Sequence, residues 1–135
     1  MPCDSRHICE WIGCSAQAAY DYASAPEHLP DWARGLASAV ERVDDRWFVE
    51  SPMGRVGVVF APHNEFGVLD QHVTLSSGEV FYNPMRVVQH GDGCEVVFTV
   101  RRQAGMSDAE FERDAAAVAA DLASLKRVLE SRHAT

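Results

Sequence analysis

The most regular pattern of apolar and polar residues lies near the C-terminal end of the chain. Ser107 and Glu110 have the spacing of a helix capping box, in which each side chain binds the backbone N–H of the other residue. Apolar residues then recur at helical spacing, in a stripe made of Phe111, Ala115, Val118, Leu122, Leu125 and Leu129. Charged and small residues occupy the other positions. The pattern predicts one long amphipathic helix with a single buried side.

From residue 38 to residue 102 the pattern changes to short runs of alternating apolar and polar residues, separated by turn residues. Alternation predicts β-strands, and the short turns predict consecutive antiparallel hairpins. Two runs have a clearly apolar face, made of Val56, Val58 and Phe60 in one and of Val96, Phe98 and Val100 in the other. We therefore expect one side of the sheet to be covered. Pro84 predicts a bulge or an edge, because proline cannot donate a ladder hydrogen bond.

The N-terminal part predicts a strand over 7–12 and a helix over 16–23 that Ser15 caps. Pro26 and Pro30 suit the first turns of helices, so short helical turns are expected over 25–35. Trp32 and Leu36 are the apolar anchors of that region. The whole order of elements predicts an α+β fold. No repeat or low-complexity tract divides the 135 residues, so we expect a single domain over 1–135, frayed at about 1–4 and 132–135.

Charge and hydropathy limit the classes of partner that we expect the chain to bind. The chain has 12 Lys and Arg against 20 Asp and Glu, which gives a formal net charge of −8. Few cationic groups are therefore present to neutralise phosphates or anionic lipid, and we expect no nucleic-acid partner. No apolar run approaches the length of a membrane span, so no membrane insertion is expected. Charged residues near the N-terminus do not fit a signal peptide, and we expect a cytoplasmic protein.

Cysteine and histidine spacings give no sign of a metal or redox site. Cys3, Cys9, Cys14 and Cys94 form no C-x-x-C pair, and the six histidines show no paired ligand spacing. We expect reduced thiols and no metal. A G-x-S-x-G elbow and a glycine-rich phosphate loop are also missing from the sequence, so neither a serine hydrolase nor a nucleotide cofactor is indicated. No cofactor of any kind is expected.

Local sequences along nearly the whole chain match those of one superfamily. The matching segments are Tyr20–Ser24, Pro26–Glu27, Leu29–Ala33, Asn64–Asp70, Pro84–Val87, Glu95–Thr99 and Met106–Lys126. On these segments the chain resembles the START-like (SRPBCC) superfamily, and within it the bacterial polyketide cyclase/dehydratase-like branch. The resemblance implies a helix-grip fold: a curved antiparallel sheet of about six to seven strands around a long C-terminal helix, with two short helices after the first strand. Fold alone does not imply one activity.

The helix-grip fold implies a cavity between the curved sheet and the long helix, where a ligand would bind. The candidate lining residues are Trp32, Leu36, Val58, Phe60, Phe98, Val100, Val118 and Leu122. The alternative for each of them is a place in an ordinary core, because any packed sheet and helix require apolar residues at these periods.

Asp70 and His72 are the most interesting polar pair, since positions i and i+2 of a strand share a face. In a cavity the pair would serve as general acid and base on an enolisable ketone. Alternatively, the opposite face of this strand is the buried one, and both side chains contact water. Related sequences often place histidine directly after this aspartate, whereas Gln71 stands there in this chain. The resemblance therefore does not itself assign a cavity role to His72.

Three functions fit these observations. The first is binding of a small hydrophobic molecule, such as a lipid, a polyketide or another aromatic or cyclic compound. The second is a cyclase or dehydratase that acts on a polyketide-like substrate, with Asp70 and His72 as candidate catalytic groups and Trp32 shaping the pocket. The third is a homodimeric interaction protein with a vestigial cavity, which an outward-facing Trp11 and Phe48 would favour.

Overall fold

A computed structural model of the chain describes residues 4–34 and 37–133. The helices are α1 (Ala16–Ala23), α2 (Leu29–Trp32) and α3 (Asp108–Arg132), with a 3-10 helix at Pro26–His28. The strands are β1 (Ser5–Ile12), β2 (Ala39–Val43), β3 (Arg46–Ser51), β4 (Gly54–Phe60), β5 (Gln71–Thr74), β6 (Val80–Asn83), β7 (Met85–His90) and β8 (Gly93–Arg101). This order confirms the predicted α+β class. No helix among the described residues is long and apolar enough to cross a membrane.

Every pair of neighbouring strands is antiparallel, and the strands form two hydrogen-bonded groups. One group has the order β1-β8-β7 and the other has the order β2-β3-β4-β5-β6. The segment before β5 joins them, because Leu69 N–H donates to the Met85 carbonyl and Val87 N–H donates to the Gly67 carbonyl, both at 2.9 Å. The two groups therefore act as one curved sheet around α3, as the helix-grip prediction requires.

The described chain has eight strands rather than six or seven because the run around Pro84 is divided. β6 ends at Asn83 and β7 begins at Met85, so the chain passes from one group to the other at this proline. Pro84 has no N–H to donate, but its carbonyl accepts a 3.0 Å hydrogen bond from Thr99 N–H. The predicted irregularity at Pro84 is therefore the corner between the two strand groups.

Gly67 makes the close approach at this corner. Its φ is +70°, and a Cβ at this position would lie 2.2 Å from the Val87 carbonyl oxygen. Only glycine satisfies both conditions without strain. The contact between the segment before β5 and strand β7 thus depends on a residue that has no side chain.

The helix α3 begins with the predicted capping box. Ser107 Oγ accepts from Glu110 N–H at 3.1 Å, and the Glu110 carboxylate accepts from Ser107 N–H at 3.0 Å. The predicted stripe is buried at Phe111, Ala115, Leu122, Leu125 and Leu129. Val118, in the middle of the stripe, is only half-buried. The helix packs along β1, α2 and β8, and its partly uncovered middle leaves room above the sheet.

Candidate functional site

A cavity of about 570 Å³ lies between the sheet, α2, α3 and the loop that connects β8 to α3. Strands β5, β6 and β8 form its floor, and the N-terminal half of α3 forms its roof. Met53 and the loop residues Ala104 and Gly105 are exposed to solvent, so the cavity opens on this side. The partial exposure of Val118 follows from this geometry, because the side chain packs against the edge of the core and also lines the cavity.

Five of the candidate lining residues contribute to the wall of this cavity. They are Trp32 from α2, Phe98 and Val100 from β8, and Val118 and Leu122 from α3. Strand alternation and helical periodicity bring them together, since the inward residues of β8 face the apolar stripe of α3. Their assignment as ligand-binding residues stays a prediction. Leu36 lies outside the described residues.

Val58 and Phe60 lie elsewhere. Both belong to β4 and border a second hollow, of about 670 Å³, on strands β3 to β5. Val58 is fully buried in the hydrophobic core, and Phe60 packs against that core. Both side chains contribute to the core and to this second hollow, and neither lines the cavity beside α3. An alternating apolar face indicates that one side of a strand is covered. The pattern does not indicate whether a packed core or a cavity lies on that side.

Gln71 lines the cavity, although it is not among the residues predicted from the sequence to do so. It is 3% exposed and lines the cavity from β5, next to Val73. Its Nε2 donates to the Leu69 carbonyl and lies 3.3 Å from the Met85 sulfur. Its position could have been predicted, because Leu69, Gln71 and Val73 have the same parity on the strand. A buried amide in an apolar wall is a natural anchor for a polar group of a ligand.

Trp32 provides a second buried donor. Its side chain lines the cavity and the residue is 4% exposed. The indole Nε1–H donates to no group among the described residues. Buried indole N–H groups normally have a partner, because leaving one unpaired costs free energy. The Trp32 side chain therefore lines the cavity, while its unpaired Nε1–H has almost no accessible surface and is shielded from the cavity.

Asp70 is buried outside the cavity, at the corner between β6 and β7. Its carboxylate accepts from Met85 N–H at 2.9 Å, from Arg86 Nη1 at 2.6 Å and from the hydroxyl of Tyr82. The hydrogen bond to Asp70 is the main reason that the pKa of Tyr82 is raised. Because these donors come from both strand groups, the aspartate holds the corner together.

His72 lies on the outer face of β5, where it is exposed to solvent. Its ring stacks on that of Tyr82, with centroids 4.9 Å apart. Neither Asp70 nor His72 lines the cavity. The alternative in which the opposite face of this strand is buried describes His72 correctly. Asp70 departs from both alternatives, since it is buried without facing the cavity.

Charged groups surround the opening of the cavity. The carboxylates are those of Glu79, Glu110, Asp114 and Asp121, and the guanidinium is that of Arg101. Hydrogen bonds from Ser107 hold the pKa of Glu110 below its usual range, so this carboxylate stays ionised at neutral pH. Arg101 lies over the Tyr82 ring, 5.5 Å from its centroid. The opening is therefore predominantly negative.

The buried cysteines lie in the core and not in the cavity wall. Cys14 and Cys94 are both buried, and burial is the main reason that the pKa of Cys94 is raised to about 12. A thiol with such a pKa stays protonated at neutral pH and is a poor nucleophile. Among the described residues, no group of three or more His, Cys, Asp or Glu side chains is placed to hold a metal ion.

Comparison with known proteins finds similarity in structure only. No protein-family model matches the chain, and no curated protein matches it in sequence. The crystal structure of an uncharacterised protein from Bacillus thuringiensis superimposes with a TM-score of 0.73 at 12% identity, over 93% of this chain and 98% of that one. The similarity therefore covers both chains almost completely.

Two other solved structures are also similar to this chain. A protein of the dynemicin biosynthetic locus superimposes with a TM-score of 0.70 at 14% identity, over 96% of this chain, which spans 48% of that protein. Norcoclaurine synthase from Thalictrum flavum, in complex with dopamine and hydroxybenzaldehyde, superimposes with a TM-score of 0.64 at 16% identity, over 99% of this chain and 90% of that one. At these identities the similarity shows the fold alone. This chain therefore shares the helix-grip fold of these structures, as the sequence predicted.

Proposed function

We propose that this chain binds a small, predominantly apolar molecule in the cavity between the sheet and α3. The supporting observation is the cavity itself. Its volume of about 570 Å³ lies within the range of about 300–1,000 Å³ typical of small-molecule sites. Aromatic and aliphatic side chains make up most of its inner wall, so burial of apolar ligand surface supplies the driving force.

A polar group of the inner wall would orient the ligand. Gln71 offers an amide there. A small number of polar groups in an apolar wall is the usual composition of a specific site, in which few hydrogen bonds set orientation. We expect the ligand to have a hydrogen-bonding group on an aromatic or cyclic body.

The structural relatives support an aromatic or polyketide-like ligand. The structure of norcoclaurine synthase contains dopamine and hydroxybenzaldehyde, two aromatic molecules, and another similar protein belongs to the dynemicin biosynthetic locus. Both facts concern those proteins, and at 16% identity or less the similarity to this chain shows the fold alone. They make small aromatic compounds the first class to test.

The enzymatic alternative has less support from the site. Asp70 and His72 are placed outside the cavity wall, so they have no direct contact with a ligand inside it. General acid–base catalysis requires the group to lie within hydrogen-bond reach of the reacting atom. A cyclase or dehydratase of this chain would therefore have to use other groups, and the ionisable ones lie at the opening.

The homodimer alternative also has less support. Trp11 lies under Lys126, whose Nζ is 5.4 Å from the ring centroid, and its indole N–H donates to the His90 carbonyl. Phe48 lies under the guanidinium of Arg55, at 4.7 Å. A cationic side chain of the chain itself lies over one face of each ring, although Trp11 remains 43% exposed. The cavity is too large to be called vestigial.

The test is to fill the cavity opening and measure binding of a neutral fluorescent probe. Ala117 lines the cavity but is exposed, so Ala117→Trp adds volume there without disturbing the core. Ala116→Trp is the matched control, because Ala116 is exposed on the same helix and does not line the cavity. The probe is N-phenyl-1-naphthylamine, whose fluorescence rises in apolar surroundings. Thermal unfolding checks that both variants are folded.

We expect the unmodified chain and Ala116→Trp to enhance probe fluorescence with the same Kd, and Ala117→Trp to bind at least about tenfold more weakly. A tenfold change corresponds to about 1.4 kcal/mol of binding free energy. If the unmodified chain does not enhance the probe, or if Ala117→Trp binds it as well as the control does, the proposal is wrong.

A further inference from the structure

The cavity wall contains two neutral amides that lie opposite each other on neighbouring strands. Gln71 of β5 and Asn83 of β6 are register partners in this antiparallel pair, and both residues line the cavity. Directly opposite residues share a face of the sheet, and their Cβ atoms lie about 4.5–5.5 Å apart. The two side chains therefore form a polar pair on the cavity side of the sheet.

The protein itself fixes the orientation of the Gln71 amide. Its Nε2 donates to the Leu69 carbonyl and lies 3.3 Å from the Met85 sulfur. A carbonyl oxygen accepts and never donates, so this contact decides which end of the amide is nitrogen. Neither Leu69 nor Met85 lines the cavity. The nitrogen is therefore engaged by the corner of the sheet, and the oxygen Oε1 is the free end.

Gln71 Oε1 is a hydrogen-bond acceptor without a donor. No group among the described residues donates to it, although the residue is only 3% exposed. In the described part of the chain, Trp32 Nε1 is the one side-chain polar atom that is both unpaired and cut off from all accessible surface. Oε1 therefore retains accessible surface, and the cavity is the space that Gln71 lines. Such an acceptor favours a ligand that donates an O–H or N–H.

Asn83 supplies a complementary donor. The residue is half-buried, and its side-chain amide makes no hydrogen bond with the described part of the chain. An asparagine amide has two N–H donors and one acceptor oxygen. A ligand group that donates to Gln71 Oε1 would therefore accept from Asn83 Nδ2 at the same time. A neutral hydroxyl has both capacities, whereas an ether oxygen only accepts and an ammonium group only donates.

The neighbouring pair on the same two strands is apolar. Val73 is the register partner of Phe81, and each lies two residues from the amide on its own strand. Both side chains line the cavity. Two residues of a strand span about 7 Å, so an aromatic ring that lies against Val73 and Phe81 would bring a hydroxyl substituent to the two amides.

We propose that Gln71 and Asn83 form a hydroxyl-recognition subsite, and that the cavity takes a hydroxylated aromatic compound in preference to its ether. The ligand hydroxyl donates to Gln71 Oε1 and accepts from Asn83 Nδ2, while its ring lies against Val73 and Phe81. The inference rests on the proposed binding function and specifies the ligand class of the same site.

Three naphthalene compounds separate donation from acceptance. The alcohol 1-naphthylmethanol donates and accepts, its ether 1-(methoxymethyl)naphthalene only accepts, and 1-ethylnaphthalene does neither. Their Kd values are measured by displacement of N-phenyl-1-naphthylamine. The decisive quantity is the ratio of two Kd values in one protein, compared with the same ratio in a variant. Differences in the hydration of the free compounds cancel in this comparison.

Gln71→Met removes the acceptor and keeps an unbranched side chain of similar size. We expect the preference for the alcohol over the ether to fall by about threefold to tenfold, the equivalent of one hydrogen bond. Gln17→Met is the matched control, because Gln17 is exposed on α1 and does not line the cavity. The control should leave the ratio unchanged.

Asn83→Leu removes the donor that both oxygen-bearing compounds would use. We expect it to weaken the alcohol and the ether equally, by about threefold relative to 1-ethylnaphthalene, so that the ratio between alcohol and ether stays constant. A purely structural role of either amide would instead change all three Kd values together. Thermal unfolding checks that the variants are folded.

A measurement on the unmodified chain keeps the proposal testable if a variant does not fold. Heteronuclear NMR follows the side-chain amide signals of Gln71 and Asn83 as each compound is added. We expect the alcohol to shift both signals, the ether to shift mainly that of Asn83, and 1-ethylnaphthalene to shift both less than the alcohol does. Amide signals that the bound alcohol leaves in place would contradict the subsite.

Two failures can be told apart. If neither the probe nor any of the three compounds binds, the proposed function itself is wrong. If the probe binds but the alcohol does not displace it, the binding function stands and the hydroxyl recognition is wrong. The same conclusion follows if the ratio of alcohol to ether is equal in the unmodified chain and in folded Gln71→Met.

Discussion

The two faces of strands β5 and β6 differ sharply although their residues alternate along the same backbone. The outer face has the polar cluster of His72 and Tyr82, with Asp70 buried beneath the Tyr82 hydroxyl, and Tyr82 also borders the cavity at the sheet edge. The inner face has Gln71 and Val73 in the wall of the cavity. In the outer cluster, the Asp70 carboxylate accepts hydrogen bonds from groups of the protein itself, and the His72 ring stacks on that of Tyr82. The inner face has few polar groups, and these have capacity left for a ligand.

The comparison shows that a concentration of ionisable residues is weak grounds for assigning a site. Asp70 accepts hydrogen bonds from a hydroxyl, a backbone N–H and a guanidinium, so it stabilises the corner of the sheet. Gln71 and Trp32 are chemically less conspicuous, yet they line the cavity. Unused hydrogen-bonding capacity in a concave apolar wall is the better criterion.

The largest expected effect comes from Asp70→Ala. Removal of the carboxylate leaves Met85 N–H buried without a partner and releases Tyr82 and Arg86, so we expect the free energy of unfolding to fall by about 3 kcal/mol. Denaturant unfolding measures the change. His72→Ala is the control on the same face, because His72 is exposed, and it should cost less than 1 kcal/mol, roughly the range of surface substitutions.

In both variants the Kd for N-phenyl-1-naphthylamine should stay unchanged once the protein is folded. A loss of probe binding in folded Asp70→Ala would contradict the separation of the two faces.

The second-largest loss of stability is expected from Gly67→Ala, at the corner where the two strand groups meet. A Cβ there would approach the Val87 carbonyl oxygen to 2.2 Å, and alanine at φ of +70° is strained. We expect a loss of about 2 kcal/mol in the free energy of unfolding. Gly78→Ala has a similar φ of +92° with no atom within 4 Å, so it isolates the cost of the backbone angle. Equal losses in the two variants would show that the close approach is unimportant.

Gln71→Leu should affect binding more than stability. The substitution keeps the side-chain volume roughly constant and removes the amide, so we expect the Kd for 1-naphthylmethanol to rise by about threefold to tenfold, the equivalent of one hydrogen bond. The free energy of unfolding should change by no more than about 1 kcal/mol. Gln17→Leu, on the exposed side of α1, is the control. An unchanged Kd would remove Gln71 from the site.

The smallest effect concerns the ionisation of Tyr82. Its pKa is raised mainly by the hydrogen bond to Asp70, so its protonated form is favoured in the folded state. The stability it adds is complete below the pKa of an unfolded tyrosine and is lost as pH rises through the folded value. Asp70→Asn should lower the pKa of Tyr82. Ultraviolet absorbance of tyrosinate measures the midpoint, and the difference from Tyr82→Phe isolates this residue. No change in midpoint would contradict the hydrogen bond.

The type and order of the elements could be predicted from the sequence because local patterns encode them. The capping box, the stripe of α3 and the alternation in β8 each depend on residues that are close along the chain. The helix-grip resemblance then implied a cavity, and Trp32, Phe98, Val100, Val118 and Leu122 do line one. Val58 and Phe60 have the same alternating pattern and border a different hollow.

Which residues line the cavity depends on contacts between residues that are distant in sequence. Asp70 is buried because Tyr82, Met85 and Arg86 reach it across the corner at Pro84, a contact that periodicity does not contain. The rotation of α3 against the sheet brings Asp114 and Asp121 to the opening. Local chain geometry therefore specified the elements and their apolar faces, whereas the packing of those faces divided one set of apolar residues into core and cavity wall.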